Sequence, residues 1–240
     1  MGDLSSLLAQ FISVLVYRAD IQSLSDLANP GTGLHAAIVF LIIAATAALI
    51  WRLHGRGWAY AYVAVIPFLN WSFGTVPSYE FIPPSDMFEY GVKINPLTMV
   101  TGLVFVLRDF VQRETGHRVL VLMAVAIAWS FYYSWPVIAV ASGLAFAISE
   151  TADWLLFTFT KYRLSTRILL SSALAAPLDT TVFLYGADLA KVMAGIGEPG
   201  SEFHLANWIV FVIGKMVGAV VVSWMMRMRE ERGEVDPQAA

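Results

Sequence analysis

The stretch LHAAIVFLIIAATAALIWRL, residues 34–53, decides the class of this protein. Its only formal charge is Arg52, and about 20 consecutive apolar residues are what a helix needs to cross a bilayer. The rest of the chain is similar, because 58% of its 240 residues are hydrophobic and 14% are charged. An average soluble domain has about 45–50% apolar and 25% charged residues. The composition therefore predicts an integral membrane protein and excludes a soluble enzyme, a disordered chain and a nucleic-acid-binding domain.

The charge balance and several missing motifs exclude further classes of function. The formal net charge is −3, so no basic excess points to a nucleic-acid partner. The chain has no cysteine, and therefore no disulfide, thiolate metal site or cysteine nucleophile. It also lacks a glycine-rich phosphate loop, an HExxH motif and a GxSxG nucleophile elbow. These features predict that the protein is not an enzyme and carries no cofactor.

Seven apolar stretches are predicted to cross the membrane as helices, which makes the chain an all-α, polytopic membrane bundle. They are Leu34–Leu53, Trp58–Val76, Asn95–Val111, Val119–Trp135, Pro136–Phe159, Thr166–Tyr185 and His204–Met228. We divide the chain into four parts: an amphipathic interfacial segment and loop (1–33, the loop being 30–33), an additional span with a basic loop (34–57), a six-span domain (58–228) and a polar tail (229–240).

The loops between the predicted spans alternate in charge. Lys and Arg follow the first, third, fifth and last spans, whereas the other loops are mainly acidic. Cytoplasmic loops collect Lys and Arg, so the alternation predicts an N-terminus outside and a C-terminus in the cytoplasm.

Two pairs of ionisable residues fall in or beside the predicted spans, where each charge is costly unless it faces protein, water or a partner. Asp109 and Arg113 are four residues apart on one helical face and can pair, either as an anchor for the third span or as a gate. Glu150 and Asp153 are three residues apart and face the same way. Their carboxylates repel each other unless one is protonated or a cation lies between them.

Three more polar residues lie within predicted spans. Asp179 is near the middle of its span, two residues after Pro177, which is expected to break the helix and free a carbonyl. Asp179 either lines a ligand site or pairs with Lys215, for which Asp179, Glu150 and Asp153 are the candidate partners. Asn70 adds an uncharged donor and acceptor in the second span.

The order and spacing of these residues resemble the queuosine-precursor transporters, also called the vitamin uptake transporter family. The resemblance covers roughly residues 58–228. The matching positions are Asp109, Arg113 and Gly116 in the stretch 96–118, Asp153 at the end of a small-residue helix, Asp179 and Thr180, and Lys215 in the final helix. The chain departs from the family at Ala176, where the family helix often carries Asn, and in having an added span at 34–53.

The resemblance implies a fold similar to the six-helix membrane subunits of energy-coupling-factor vitamin transporters. It also implies import of 7-cyano-7-deazaguanine or a related 7-deazapurine across a bacterial inner membrane, for queuosine salvage in tRNA. A guanine-like edge presents adjacent N–H donors, which a carboxylate can accept as a pair. The expected substrate-binding residues are Asp179, Glu150, Asn70, Lys215 and Asp153, with Asp109 and Arg113 as the gate or ion pair.

Three other interpretations stay open from the sequence. The protein can be a membrane component for another small planar vitamin, driven by a separate ATPase. It can be an intramembrane enzyme that holds a metal with Glu150, Asp153 and Asp179, although no His lies near them in sequence. It can also be a structural protein whose polar residues join helices. The expected partners are a purine-like solute and the lipid bilayer, with a second copy of the chain or an energising module also open.

Overall fold

The computed structural model of the protein describes residues 4–19, 21–73, 75–86 and 88–235. Its internal contacts divide the chain into two compact units, Met1–His54 and Gly55–Ala240. The division lies close to residue 58, where the six-span domain is predicted to begin.

Where the first unit is described, it has two α-helices, with a short 3₁₀ helix between them at Leu24–Ala28. Helix α1 is Leu4–Leu15 and helix α2 is Pro30–Arg52. The predicted loop at 30–33 is wrong, because these residues form the first turn of α2. Pro30 is its first residue, where the fixed φ of proline suits a helix and no N–H is needed. Residues 1–3 of the predicted interfacial segment lie outside the described residues.

The described residues of the second unit form six α-helices. Their bounds are α3 Gly57–Phe73, α4 Leu97–Thr115, α5 Val119–Tyr133, α6 Ala139–Phe159, α7 Leu164–Met193 and α8 Leu205–Glu231. They pack as a closed ring in the order α3, α4, α8, α7, α6, α5 and back to α3. Helix α4 also contacts α6 and α7 across the ring, so its inner face lies at the centre of the unit.

A two-stranded antiparallel sheet lies between α3 and α4, and the sequence analysis did not predict it. Strand β1 is Tyr79–Ile82 and strand β2 is Val92–Ile94, with Glu80 paired opposite Lys93. Opposite charges at paired positions favour this register. Gly91, at the turn before β2, has φ +65°, a conformation that glycine adopts without strain.

The chain reverses direction between α4 and α5. Gly116 ends α4 with φ +58° and a 3₁₀ turn follows. Asn95, just before α4, donates to the Val76 carbonyl just after α3 (3.2 Å), while Asn70 near the end of α3 bonds Ser130 near the end of α5 (3.1 Å). The start of α4 and the end of α5 therefore lie at the same end of α3, and the two helices are antiparallel.

Five helical segments of the described chain are long and apolar enough to cross a membrane. They are Pro30–Arg52, Leu97–Tyr133, Ala139–Phe159, Leu164–Met193 and Leu205–Glu231. The second of these includes the reversal at Gly116 and therefore comprises two antiparallel helices, α4 and α5. Helix α3 has 17 residues, with Pro67 inside, and ends before the predicted limit of Val76. The predicted all-α helical membrane protein is thus confirmed, with the small sheet as an addition.

Two predicted boundaries near the C-terminus are wrong because the helices are longer. Helix α7 continues eight residues past Tyr185, and Lys191 in its last turn pairs with Glu202 at 2.5 Å. Helix α8 enters the predicted tail and ends at Glu231, which pairs with Arg227 one turn earlier at 3.1 Å. Residues 236–240 of the predicted tail lie outside the described residues.

The two ends of the second unit differ in charge. Gln112 of α4 bonds Thr158 of α6, and Ser165 of α7 bonds Glu230 of α8, so these four helix termini share one end. That end carries Arg113, Arg118, Lys161, Arg163 and Arg229. The opposite end carries the sheet and the acidic residues Glu80, Glu89, Asp188, Glu198 and Glu202. The alternation of loop charge in the sequence therefore becomes a charge difference between the ends of the fold.

Candidate functional site

The Arg108 guanidinium forms the centre of the largest buried ionic group in the described chain. Residues Thr98, Gly102, Phe105, Asp109 and Gln112 recur three or four positions apart on the buried face of α4. Arg108 stands beside this stripe, and its side chain is fully buried. Its Nη1 donates to Oε1 of Gln112 at 2.5 Å, and the ring of Phe157 lies 5.5 Å from the guanidinium carbon.

Three carboxylates surround this one guanidinium, and all three are fully buried. Nη2 of Arg108 lies 2.8 Å from Oδ1 of Asp109 and also contacts Asp153. Nε lies 3.9 Å from Oε2 of Glu150, which is therefore the most distant of the three. Arg108 is the cation that the predicted pair of carboxylates on α6 requires.

Neutral donors from two other helices complete this group, which we call the Arg108 cluster (Tyr62, Arg108, Asp109, Glu150, Asp153 and Ser171). The hydroxyl of Tyr62 on α3 donates to Oε2 of Glu150 at 2.8 Å. The hydroxyl of Ser171 on α7 donates to Oδ2 of Asp109 at 3.2 Å. The cluster thus joins α3, α4, α6 and α7.

A second buried charged group lies between α7 and α8. Nζ of Lys215 contacts the carboxylate of Asp179 and donates to the hydroxyl of Thr180 at 3.0 Å. Asp179 is thus the partner of Lys215 among the three carboxylates considered. The Asp179 side chain keeps 11% of its surface exposed, in contrast to the fully buried carboxylates of the Arg108 cluster.

Helix α6 connects the two groups. The Ser149 hydroxyl lies 3.3 Å from Oδ1 of Asp179, and the next residue is Glu150. The predicted break at Pro177 is wrong, because α7 runs through this proline without interruption. Thr181, one turn later, donates its hydroxyl to the Pro177 carbonyl at 2.7 Å. Asp179 therefore projects from a continuous helix.

No protein-family model, curated protein or solved structure matches this chain. The function of this protein is consequently inferred from the chemistry of its two buried groups and from the motifs that carry them.

Asn70 lies in a separate polar group. Its amide donates to the Ile66 carbonyl (2.9 Å) and the Ser130 hydroxyl (3.1 Å), and its oxygen accepts from Ser134 (2.7 Å) and Ser142 (3.1 Å). These contacts use both donors and both lone pairs of the side chain. They join α3 to α5 and α6, which is an ordinary structural task for a half-buried amide.

The predicted ion pair between Asp109 and Arg113 is not formed. Asp109 contacts the neighbouring Arg108 and Ser171 instead. Asp109 points into the unit, whereas Arg113 is only half-buried near the end of the helix, and no ion pair of Arg113 is found among the described residues. The four-residue spacing permits such a pair but does not require it.

Sequence reasoning did not assign a site role to Arg108, Tyr62 or Ser171. For Arg108 a signal exists, since it interrupts the apolar run LVFVLRDFV at residues 103–111. Tyr62 and Ser171 give no such signal, because a tyrosine or a serine in a membrane helix is common. The carboxylates considered for a metal face Arg108 or Lys215, and no group of three possible metal ligands is found among the described residues.

Proposed function

We propose that this protein is a membrane transporter for a small planar solute. The observation that carries the proposal is the buried ionic network of α4, α6, α7 and α8, in helices long enough to cross a membrane. Ionised side chains inside a membrane are expensive and mark substrate or ion pathways by default. A purely structural bundle joins helices more cheaply with small residues and uncharged hydrogen bonds, as Asn70 does here.

The proposed cargo is a queuosine precursor, 7-cyano-7-deazaguanine or a related 7-deazapurine. Support for this cargo comes from the motif resemblance, through Asp109, Gly116, Asp153, Asp179 and Lys215. The chemistry is also suitable, because a carboxylate accepts the adjacent N–H donors of a guanine-like edge as a pair.

Within this proposal, Asp179 receives the cargo. It is the carboxylate of the two groups with exposed surface, and Lys215, Thr180 and Ser149 surround it. Glu150 belongs to the same region through Ser149, and its Oε1 has no hydrogen-bond partner. Asp153 contacts Arg108, and Asn70 is hydrogen-bonded to its neighbouring serines. We therefore propose that Asp153 and Asn70 support the site without contacting the cargo.

The direct test is restoration of queuosine salvage. A bacterium that cannot make queuosine precursors and lacks its own importer would express the chain and receive a low external level of 7-cyano-7-deazaguanine. We expect queuosine to reappear in tRNA. Its absence, with the protein shown to be in the membrane, would exclude this cargo. Restoration only when a co-purifying ATPase module is present would favour the energised-component alternative.

A pair of matched variants tests the site in the same assay. Asp179→Asn removes the charge that accepts the cargo and is expected to abolish salvage at normal protein levels. Asp188→Asn makes the same change on the same helix, where the carboxylate accepts hydrogen bonds from the backbone N–H groups of Gly200 and Glu202 in the following loop. Salvage should continue in that variant. Normal salvage by Asp179→Asn would remove Asp179 from the site.

We also propose that the basic end of the second unit faces the cytoplasm of a bacterial inner membrane. The excess of Lys and Arg at that end supports this orientation. Imported cargo would then reach the tRNA-modifying enzymes directly.

A further inference from the structure

The Arg108 cluster contains more negative than positive groups. One guanidinium faces the carboxylates of Asp109, Glu150 and Asp153, so the fully ionised cluster has a net charge of −2. The nearest other cations are engaged elsewhere. Lys215 is paired with Asp179. Arg167 stacks on Phe157 at 4.5 Å and is attracted by Asp109, but it forms no salt bridge in the described part of the chain, so it compensates the cluster only in part. Uncompensated charge of this kind is costly away from water.

Glu150 is the least compensated of the three carboxylates. Asp109 and Asp153 both contact Nη2 of Arg108, whereas Glu150 lies 3.9 Å from Nε. Tyr62 donates to one oxygen of Glu150, and the other, Oε1, is buried without any hydrogen-bond partner. Oxygens of Asp109 and Asp153 also lack a hydrogen bond, but both of these carboxylates contact the guanidinium more closely than Glu150 does. A single oxygen of this kind is a place where one proton can bind.

We propose that Glu150 is the proton-binding site of a proton-coupled transporter. This inference rests on the transport function proposed above and adds its energy source. In the cycle, the Glu150 carboxylate binds one proton from one side of the membrane and becomes a neutral carboxylic acid. It then releases the same proton to the other side and becomes a carboxylate again. No bond other than the O–H bond forms or breaks.

The neighbours of Glu150 favour a proton over a metal ion as the coupling cation. The ionisable groups that surround it are Tyr62 of α3, Arg108 and Asp109 of α4, Asp153 of α6 and, across Ser149, Asp179 of α7. A metal ion needs several oxygen ligands around one point, whereas here the carboxylates converge on a guanidinium. A proton needs only one oxygen, such as Oε1 of Glu150.

The position of Glu150 also connects proton binding to cargo binding. Ser149 and Glu150 are consecutive on α6, and Ser149 contacts Asp179 while Glu150 contacts Tyr62 and Arg108. When Glu150 becomes neutral, its attraction to Arg108 is lost, and of the two α6 carboxylates only Asp153 still attracts the guanidinium on α4. Helix α6 also carries Ser149, which contacts the proposed cargo residue Asp179. Proton binding at Glu150 and cargo binding at Asp179 therefore both act on helix α6.

Infrared spectroscopy of the purified protein in lipid nanodiscs tests proton binding without any cargo. We expect a C=O band of a protonated carboxyl that responds to pH in the wild type and is lost in Glu150→Gln. Glu231→Gln, which alters an exposed acid of α8, should keep the band. If the wild type has no such band, or Glu150→Gln keeps it, the assignment is overturned.

Proteoliposomes test the coupling, with 7-cyano-7-deazaguanine as the probe and the membrane potential clamped at zero. With one proton moved per solute, an inward gradient of about one pH unit should drive about tenfold accumulation, since 1.4 kcal/mol corresponds to a factor of ten. Glu150→Gln should bring the probe only to equal concentrations on both sides.

The outcomes separate the two proposals. A wild type that equilibrates the probe but does not accumulate it would overturn proton coupling and leave transport intact. A folded wild type that admits no probe would overturn the proposed function, and the infrared result would then decide alone whether Glu150 binds a proton.

Discussion

Gly102 of α4 lies directly against the main chain of Lys215 on α8. A Cβ atom at position 102 would overlap the carbonyl oxygen of Lys215. Gly218, on the same helix as Lys215, faces Leu103 closely, and a Cβ there would lie 2.7 Å from the Leu103 side chain. The two helices reach this distance only because both positions lack a side chain. The position of Lys215 beside Asp179 depends on that close approach.

Replacing Gly102 should therefore separate α4 from α8. We expect Gly102→Ala to lower the free energy of unfolding by about 1–3 kcal/mol, as overpacking of a tight interior does. Thermal unfolding in detergent measures the effect. Gly57→Ala is the control, because a Cβ at that position meets no atom within 4 Å. Equal melting temperatures for the two variants would contradict the close approach.

The Lys215–Asp179 pair predicts a difference between single and double variants. Lys215→Met leaves the Asp179 carboxylate buried without a cation and should cost about 3–5 kcal/mol of unfolding free energy. The double variant Lys215→Met/Asp179→Leu removes both charges and should recover most of this loss. Denaturant titration of all three proteins measures the difference. Queuosine salvage should stay absent in the double variant, and its return would show that the pair serves stability alone.

Arg108 and Arg113 lie on the same helix, and replacing each of them by Met should change the stability by very different amounts. Arg108→Met leaves three buried carboxylates without their cation, and we expect a loss of about 3–5 kcal/mol or a failure to accumulate in the membrane. Arg113→Met removes a half-buried arginine without an ion pair in the described structure and should change stability by no more than about 0.5 kcal/mol. Membrane yield and melting temperature compare them. The reverse order would favour the Asp109–Arg113 pair that the spacing suggested.

Asn70 should prove to be a structural residue. Asn70→Ala leaves the hydroxyls of Ser130, Ser134 and Ser142 without their shared partner, and we expect a loss of about 1–3 kcal/mol in unfolding free energy. The cargo concentration for half-maximal uptake should not change. A raised half-maximal concentration in a protein of normal stability would instead return Asn70 to the cargo site.

The proposed orientation predicts which positions can be labelled from outside the cell. The natural chain has no cysteine, so a single introduced cysteine reports its own side of the membrane. Lys93→Cys, on β2, should react with a membrane-impermeant maleimide in intact cells. Arg118→Cys, in the turn after α4, should react only after the membrane is permeabilised. The opposite labelling pattern would show that the protein has the inverse orientation in the membrane.

Most of the fold could be predicted from the sequence, because a helix that crosses a membrane requires a long run of apolar residues that is visible in the sequence. Long apolar runs indicated a helix near each predicted span, and Pro136 separated α5 from α6 as expected, with α5 ending at Tyr133 and α6 beginning at Ala139. Helix ends were less predictable. Pro30 begins α2 although proline also ends helices, and charged side chains extend α7 and α8 beyond their apolar segments.

The candidate site could be predicted only by residue type. The sequence by itself determined that costly charges at 150, 153, 179 and 215 need partners, since no lipid can solvate them. Only the tertiary structure decided which partners they have, because helices far apart in sequence bring Arg108 between the carboxylates and Asp179 beside Lys215. The same packing places three serine hydroxyls within hydrogen-bond distance of Asn70, and it directs Asp109 to Arg108 and not to Arg113. Residue spacing along one helix predicts which residues share a face of that helix. Which other helix packs against this face depends on the arrangement of all six helices in the ring.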